Sequence, residues 1–285
     1  MKRLLYGFAA WSLLVALTGP AQAQYTYTTF DVPGTSDTEA FGINQAGQIV
    51  GANSNSSGVS HGFLRDVDSS YTRFDVPGAR STVALGINDA SQIVGYYASS
   101  GVFHGFLRDV DGSYTTFDPP GSNSTFANAI NNAGQIVGEY YDAGGAHGFL
   151  LDVDGSYTTL DVPGAAFTSA QGINDAGQIV GVYDDALGRP HSFLLDVDGT
   201  YATIDVPDAF QTNPTGINNA GQIVGSYVDA GIDHGFLLDV DGSSTTLDVP
   251  GALGTSASGI NDAGLIVGYY FEISVGFHGF LATPN

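Results

Sequence analysis

Residues 170–206 set the pattern for most of the chain. AQGIN is followed by the polar turn DAG and then by the apolar run QIVGVY. A variable stretch, DDALGRP, leads to HSFLLDV, and a second polar turn, DG, leads to TYATIDV. Each run is four to eight residues long, rich in Val, Ile, Phe, Tyr and Thr, and bounded by Gly, Asp or Asn. That pattern predicts four short β-strands. QIVGVY and FLLDV are almost continuously apolar rather than alternating, as suits strands covered on both faces. Beyond the N-terminal segment no stretch repeats apolar positions at i, i+3, i+4 and i+7, so no helix is expected.

The same pattern recurs six times. GINDAGQIVG at 172–181 has near-copies starting at 42, 86, 129, 216 and 259. His61, His104, His147, His191, His234 and His278 are spaced 43, 43, 44, 43 and 44 apart, and the residue before each D-[VP]-P keeps the same beat. Six units of four antiparallel strands, with a period near 43, predict an all-β, six-bladed β-propeller filling residues 24–285 as a single domain. The phase of the repeat supports a closed ring. A lone fourth strand, YTYTTFDV (25–32), precedes the first unit, and the last unit ends at its third strand, HGFLATPN (278–285). The N-terminal strand is therefore expected to complete the last blade. An open array would leave unpaired edges, and an outer-membrane barrel would need longer alternating strands with aromatic girdles. Gly and Ala in GIN let the innermost strands crowd the axis. The turns N-x-A-G-Q and D-V-D-G place Gly where a left-handed residue is needed. Ser91 and Ser69 stand at two of those positions, at a cost of about 1 kcal/mol each if the geometry is kept.

Composition adds a compartment. Lys2 and Arg3, the apolar run LLYGFAAWSLLVAL, and Ala21-Gln22-Ala23 read as a signal peptide over 1–23 cleaved near Ala23. The protein is then secreted or periplasmic. The remaining chain holds no Lys, Met, Trp or Cys, and sets five arginines against 29 acidic residues, a formal charge of −24. Such a field disfavours nucleic acid and anionic membranes as partners. No later apolar run is long enough for a membrane helix.

Variation is concentrated on one rim. The first-to-second and third-to-fourth strand turns are near-invariant. The second-to-third connections read ANSNSSGVS, YYASSGVF, EYYDAGGA, VYDDALGRP, SYVDAGID and YYFEISVGF, and share a rim with the loops that enter each new unit. Candidate ligand-binding residues on that rim are Glu39, Glu139, Tyr141, Asp142, Asp184, Asp185, Asp229, Asp233 and Glu272; tyrosines beside carboxylates suit sugars or peptides. A varying residue also precedes each GIN core: Phe41, Leu85, Asn128, Gln171, Thr215 and Ser258. These six are placed to line a central channel but offer no acid, base or metal ligand. The six histidines read as structural, each tying a blade edge to an adjacent loop through the Asp of D-V-P. The turns carrying Asp109 and Asp111, Asp152 and Asp154, Asp196 and Asp198, and Asp239 and Asp241 are weak calcium candidates. Each supplies two carboxylates where calcium takes six or more oxygens. No catalytic residue is singled out, and no cofactor other than calcium is indicated.

The motifs GIN-[DNQ]-A-G-Q-I-V-G, H-[AG]-F-L and T-T-[FL]-D-V-P-G together resemble the HAF family of bacterial extracellular repeat proteins. The resemblance covers all six units. His-Gly-Phe stands in five of them and His191-Ser192-Phe193 in the other, where the family name implies His-Ala-Phe. It implies an exported repeat protein and transfers no catalytic residue. The residues then favour a non-enzymatic binding module for extracellular carbohydrate or peptide. A propeller hydrolase or lyase, calcium-assisted or not, and a structural surface or matrix protein are the alternatives.

Overall fold

The computed structural model describes residues 25–285 apart from 56, 207, 208, 274 and 275. The expected signal peptide, residues 1–23, lies outside the described residues. Every regular element among the described residues is a β-strand. After β1 (Tyr25–Phe30), the first repeat contributes β2 (Asp37–Ile43), β3 (Ile49–Ser54), β4 (Ser60–Arg65) and β5 (Tyr71–Phe74). The second contributes β6 (Ser81–Ile87), β7 (Ile93–Ser99), β8 (Val102–Arg108) and β9 (Tyr114–Phe117). The third holds β10 (Ser124–Ile130), β11 (Ile136–Tyr141), β12 (Ala146–Leu151) and β13 (Tyr157–Thr159). The fourth holds β14 (Phe167–Ile173), β15 (Ile179–Asp184), β16 (Pro190–Leu195) and β17 (Tyr201–Thr203). The fifth holds β18 (Gln211–Ile217), β19 (Ile223–Asp229), β20 (Ile232–Leu238) and β21 (Ser244–Leu247). The last holds β22 (Gly254–Ile260), β23 (Ile266–Glu272) and β24 (Gly276–Pro284).

Strands within a repeat pair in order and antiparallel. β1 pairs with β24 from Tyr25–Pro284 to Phe30–Gly279, so the N-terminal strand completes the last sheet as expected. The sequence predicts six separate sheets, but four stand apart. The third and fourth repeats share one eight-stranded sheet. Short β13 covers only Phe149–Leu151 of β12, just as β17 covers only Phe193–Leu195 of β16, and the start of β12 is left uncovered by it. Ala146 pairs there, in parallel, with Phe167 of β14, and this single pair joins the two halves.

The core lies between sheets. Phe63, Phe106, Phe149, Phe193, Phe236 and Phe280, the Phe of each His-x-Phe, are at most 1% exposed. Each packs in a cluster spanning two repeats, as where Val50 and Phe74 meet Ala84, Ile87, Ile93 and Phe106. Truncating one of these rings would cost about 3–5 kcal/mol. The glycine of Ile-Val-Gly makes room for the ring, since a Cβ on Gly51 would stand 2.7 Å from Phe63. Ser69 and Ser91 keep the left-handed backbone, at φ 67° and 59°. Each also gains a bond that Gly would lack. The Ser69 hydroxyl accepts from Arg65 at 2.7 Å, and the Ser91 hydroxyl donates to Gln48 at 2.8 Å.

The innermost strands meet around an axis that two polar rings close at the tight-turn rim. Asn44, Asn88, Asn131, Asn174, Asn218 and Asn261 are 2–4% exposed. Each Oδ1 accepts the main-chain N–H four residues on. Each Nδ2 donates to the main-chain carbonyl of the next Asn, and Asn261 returns to Asn44 at 3.1 Å.

The following residues form the second ring: Gln45, Asp89, Asn132, Asp175, Asn219 and Asp262. Each main-chain N–H donates to the side-chain oxygen of the next member, at 2.8–3.1 Å, back to Gln45. Amide and carboxylate alternate around this ring. The amide of Asn132 bridges Asp89 and Asp175, and that of Asn219 bridges Asp175 and Asp262. Six carboxylates here would repel one another, whereas alternation supplies a donor to each charge.

Candidate functional site

A β-bulge interrupts each innermost strand one residue before its recurring Gly-Ile or Ala-Ile step. In β2 the pairing with β3 slips between Ala40 and Gly42, which leaves Phe41 as the extra residue, and the other five repeats slip at the matching position. A bulge re-aims a side chain. Here it turns Phe41, Leu85, Asn128, Gln171, Thr215 and Ser258 towards the axis, where all six line one cavity of about 250 Å³. The glycine that follows is needed for close approach of neighbouring strands: a Cβ on Gly42 would stand 2.8 Å from the carbonyl oxygen of Leu85. The variable residues that precede GIN therefore do line the channel. Three of them bond to protein: Asn128 Nδ2 to the Ala170 carbonyl at 2.9 Å, Thr215 Oγ1 to the Ala257 carbonyl at 3.0 Å, and Gln171 Nε2 to Ser169 Oγ at 2.7 Å.

Two residues further towards the variable rim, each repeat adds a cross-strand pair. Asn213 faces Ser226 and Ser256 faces Tyr269, and all four line the cavity. The matching pairs elsewhere are Glu39–Ala52, Val83–Tyr96, Phe126–Glu139 and Ser169–Val182. The mouth is therefore two-sided. Aromatic rings run along one side: Phe41 against Tyr269 at 5.8 Å, Tyr96 against Phe126 at 4.8 Å, and Phe126 against Tyr141 at 6.0 Å, with Phe103 on both Tyr96 and Phe126. The fourth and fifth repeats present amides and hydroxyls instead.

Two carboxyls stand in the aromatic side. Burial, reinforced by the charge of Asp37, pushes the Glu39 carboxyl above the ordinary Glu range. Glu39 in turn raises the phenols of Tyr96 and Tyr269, after the larger effect of their own burial, so it lies within electrostatic reach of both. Burial also raises Glu139, against a partial pull back from the hydroxyls of Ser169 and Tyr141, the latter at 3.4 Å. Of the rim candidates, Glu39, Glu139 and Tyr141 gather at this mouth. Tyr269 stands at the head of the variable connection YYFEISVGF and Tyr96 at the head of YYASSGVF, but Tyr96 and Phe126 were not singled out by sequence reasoning. Their signal was variation at two facing strand positions between invariant flanks.

None of the rim candidates lines the cavity itself, Glu39, Glu139 and Tyr141 included, and Asp233 also reaches Tyr269 electrostatically. Asp142 and Asp185 build their own loops: Asp142 Oδ1 accepts from Gly144 and Gly145, and Asp185 Oδ1 from Leu187 and Arg189. Asp184 ends β15, Asp229 ends β19, Asp233 lies in β20 and Glu272 ends β23. The weak calcium candidates serve their hairpins. Asp111, Asp154, Asp198 and Asp241 each accept the N–H two residues on, while Asp109, Asp152 and Asp196 each accept the next N–H. Asp239 accepts from Gln222 at 2.7 Å. Among the described residues no three His, Asp or Glu side chains converge as a metal site. Five histidines pair through Nδ1–H with the Asp of the fourth strand: His61–Asp75, His104–Asp118, His147–Asp161, His234–Asp248 and His278–Asp31, at 2.8–2.9 Å. His191 departs, standing 3.5 Å from Asp185 and stacked on Tyr183.

The chain matches no family model and no curated protein. Solved structures do match. A TolB from Acinetobacter baumannii aligns at TM-score 0.60 with 14% identity, covering 83% of this chain and 63% of that one. A putative gluconolactonase aligns at 0.57 with 14% identity, over 93% of both. A streptogramin B lyase aligns at 0.53 with 12% identity, over 92% of this chain and all of that one. The fold is a β-propeller. At such identity the likeness is one of fold alone, and the propeller's chemistry has to be read from its own axial cavity.

Proposed function

We propose that this chain is an exported, six-bladed propeller that binds an extracellular carbohydrate or peptide in its axial cavity, without transforming it. Six blades follow from reading the eight-stranded sheet as two blades joined at one residue pair, with six Asn side chains linked in sequence around the axis. Export rests on the reading of residues 1–23, and the kinship with HAF repeats on the shared motifs. The observation that carries the binding reading is the two-sided cavity, with rings along one flank and the amides and hydroxyls of Gln171, Asn213, Thr215 and Ser226 along the other. Sugars and peptides have both kinds of surface, and pockets of this type combine apolar walls with a few directed polar groups.

A second reading is favoured by the two partly buried carboxyls of Glu39 and Glu139, each raised by burial, together with the lyase and gluconolactonase neighbours: a propeller lyase or hydrolase with its acids on this side of the propeller. Thermal unfolding across a panel of glycans and peptides tests the binding reading. A ligand at a hundredfold excess over its Kd should stabilise the fold by about 2.7 kcal/mol, and Gln171→Leu should abolish that shift. Product formation from a shifting ligand would replace the binding reading with the enzymatic one. No shift from any ligand would overturn both.

A further inference from the structure

Glu39 is partly buried, and no protein group among the described residues donates a hydrogen bond to it. Its electrostatic neighbours are Asp37 and the phenols of Tyr96 and Tyr269. An unpaired carboxylate in such a place is costly, and the negative faces of aromatic rings do nothing to offset it. The same rings attract a cation. Among the described residues the arginines are held elsewhere. Arg65 and Arg108 lie over Phe30 and Phe74, each at 5.0 Å, while Arg73, Arg80 and Arg189 are exposed and none lines the cavity. A strongly negative molecule also draws cations towards a cleft of this kind.

We propose that the mouth formed by Glu39 with Tyr96, Tyr269 and Phe41 takes an organic ammonium group, so that the cavity selects amine-bearing ligands over neutral ones. This rests on the axial-cavity reading above and sharpens it. The ammonium sits against Glu39 and the rings, while the rest of the ligand reaches the amides and hydroxyls of the fourth and fifth repeats. Glu139, beside Phe126, adds a second negative charge along the same wall.

Calorimetry with choline and glucosamine, against the neutral counterparts 3,3-dimethylbutan-1-ol and glucose, tests it. Both ammonium probes should bind at least about tenfold more tightly than their neutral partners. Glu39→Gln should remove most of that preference, and Tyr269→Leu should weaken choline while the protein stays folded by its thermal midpoint. Equal binding of charged and neutral probes, or binding indifferent to Glu39→Gln, overturns the ammonium site and leaves the cavity reading standing. The ammonium site falls alone, too, if none of the four probes binds while the glycan and peptide panel shifts the melt. Silence from the probes and the panel together overturns the cavity reading, and the ammonium site with it.

Discussion

The two ends of the axial channel are built on the same six strands, only a few residues apart, and they use polar groups in opposite ways. At the tight-turn end every buried Asn Nδ2 and every main-chain N–H of the outer ring meets an acceptor of the next repeat, around the whole circle. Asp175 shows the result: burial by itself would raise its carboxyl, but the N–H and amide of Asn132 and the amide of Asn219 outweigh that and hold it below the usual carboxylate range. At the other end Glu39 has no such donors, and burial pushes it up. One end fixes the number and order of the repeats. The other leaves charge unsatisfied, which is a feature of sites awaiting a ligand.

The sharpest way to break this contrast is to truncate one amide at each end of the same strand. Asn131→Ala removes a buried side chain that holds the main chain and side chain of Gln135 and the carbonyl of Asn174. Groups stranded in this way are worth about 1–3 kcal/mol apiece, so urea unfolding should register a loss of roughly 2–4 kcal/mol. Asn128→Ala, three residues earlier, gives up one part-buried bond to Ala170 and should lose about 1 kcal/mol or less. Equal losses would mean that both ends are structural.

The two carboxyls should also differ in the sign of their pH response. A carboxyl held low in the folded state contributes stability above its unfolded pKa and loses it as pH falls through the folded value. Asp175→Asn should therefore lower stability at neutral pH, by about 1 kcal/mol given its exposure and solvent screening, with the gap to wild type closing in acid. A carboxyl pushed up favours the folded state below its unfolded pKa, and that contribution disappears as pH rises through the folded value. Glu39→Gln should then raise the thermal midpoint at neutral pH, by roughly 1–3 °C, and this gap too should close in acid. Melting both variants from neutral to acid pH decides the matter; shifts of the same sign at neutral pH would remove the electrostatic distinction between the ends.

The sequence made the fold legible wherever repetition carried it. Period, strand count, the closing role of β1, the left-handed turn residues and the His–Asp ties all follow from residues that recur in register. What escaped notice was encoded in departures from the repeat. Tyr96 and Tyr269 open two of the variable connections, but only the register that sets Val83 against Tyr96, Ser256 against Tyr269 and Glu39 against Ala52 puts them at one level of the channel. The merging of the third and fourth sheets rests on the single Ala146–Phe167 pair, which no motif specifies. The residue after each GIN or AIN varies among Asp, Asn and Gln. Its alternation has meaning only once the six positions are known to touch.

That alternation has one flaw, and it gives the smallest and most pointed test. Asn132 and Asn219 each bridge two carboxylates. Gln45 occupies the third amide position, but its extra methylene leaves its side chain joined to the ring only through Oε1, which accepts the Asp262 N–H at 3.1 Å. Gln45→Asn should bring an amide into reach of both Asp89 and Asp262. Two exposed charge-assisted bonds would add about 0.5–1 kcal/mol after screening, and Asn132→Gln should remove a similar amount. A gain at one position matched by a loss at the other would show that side-chain length, not merely an amide, is what the ring selects. A neutral result at both would leave the main-chain bonds to the ring oxygens as its only contribution to closure.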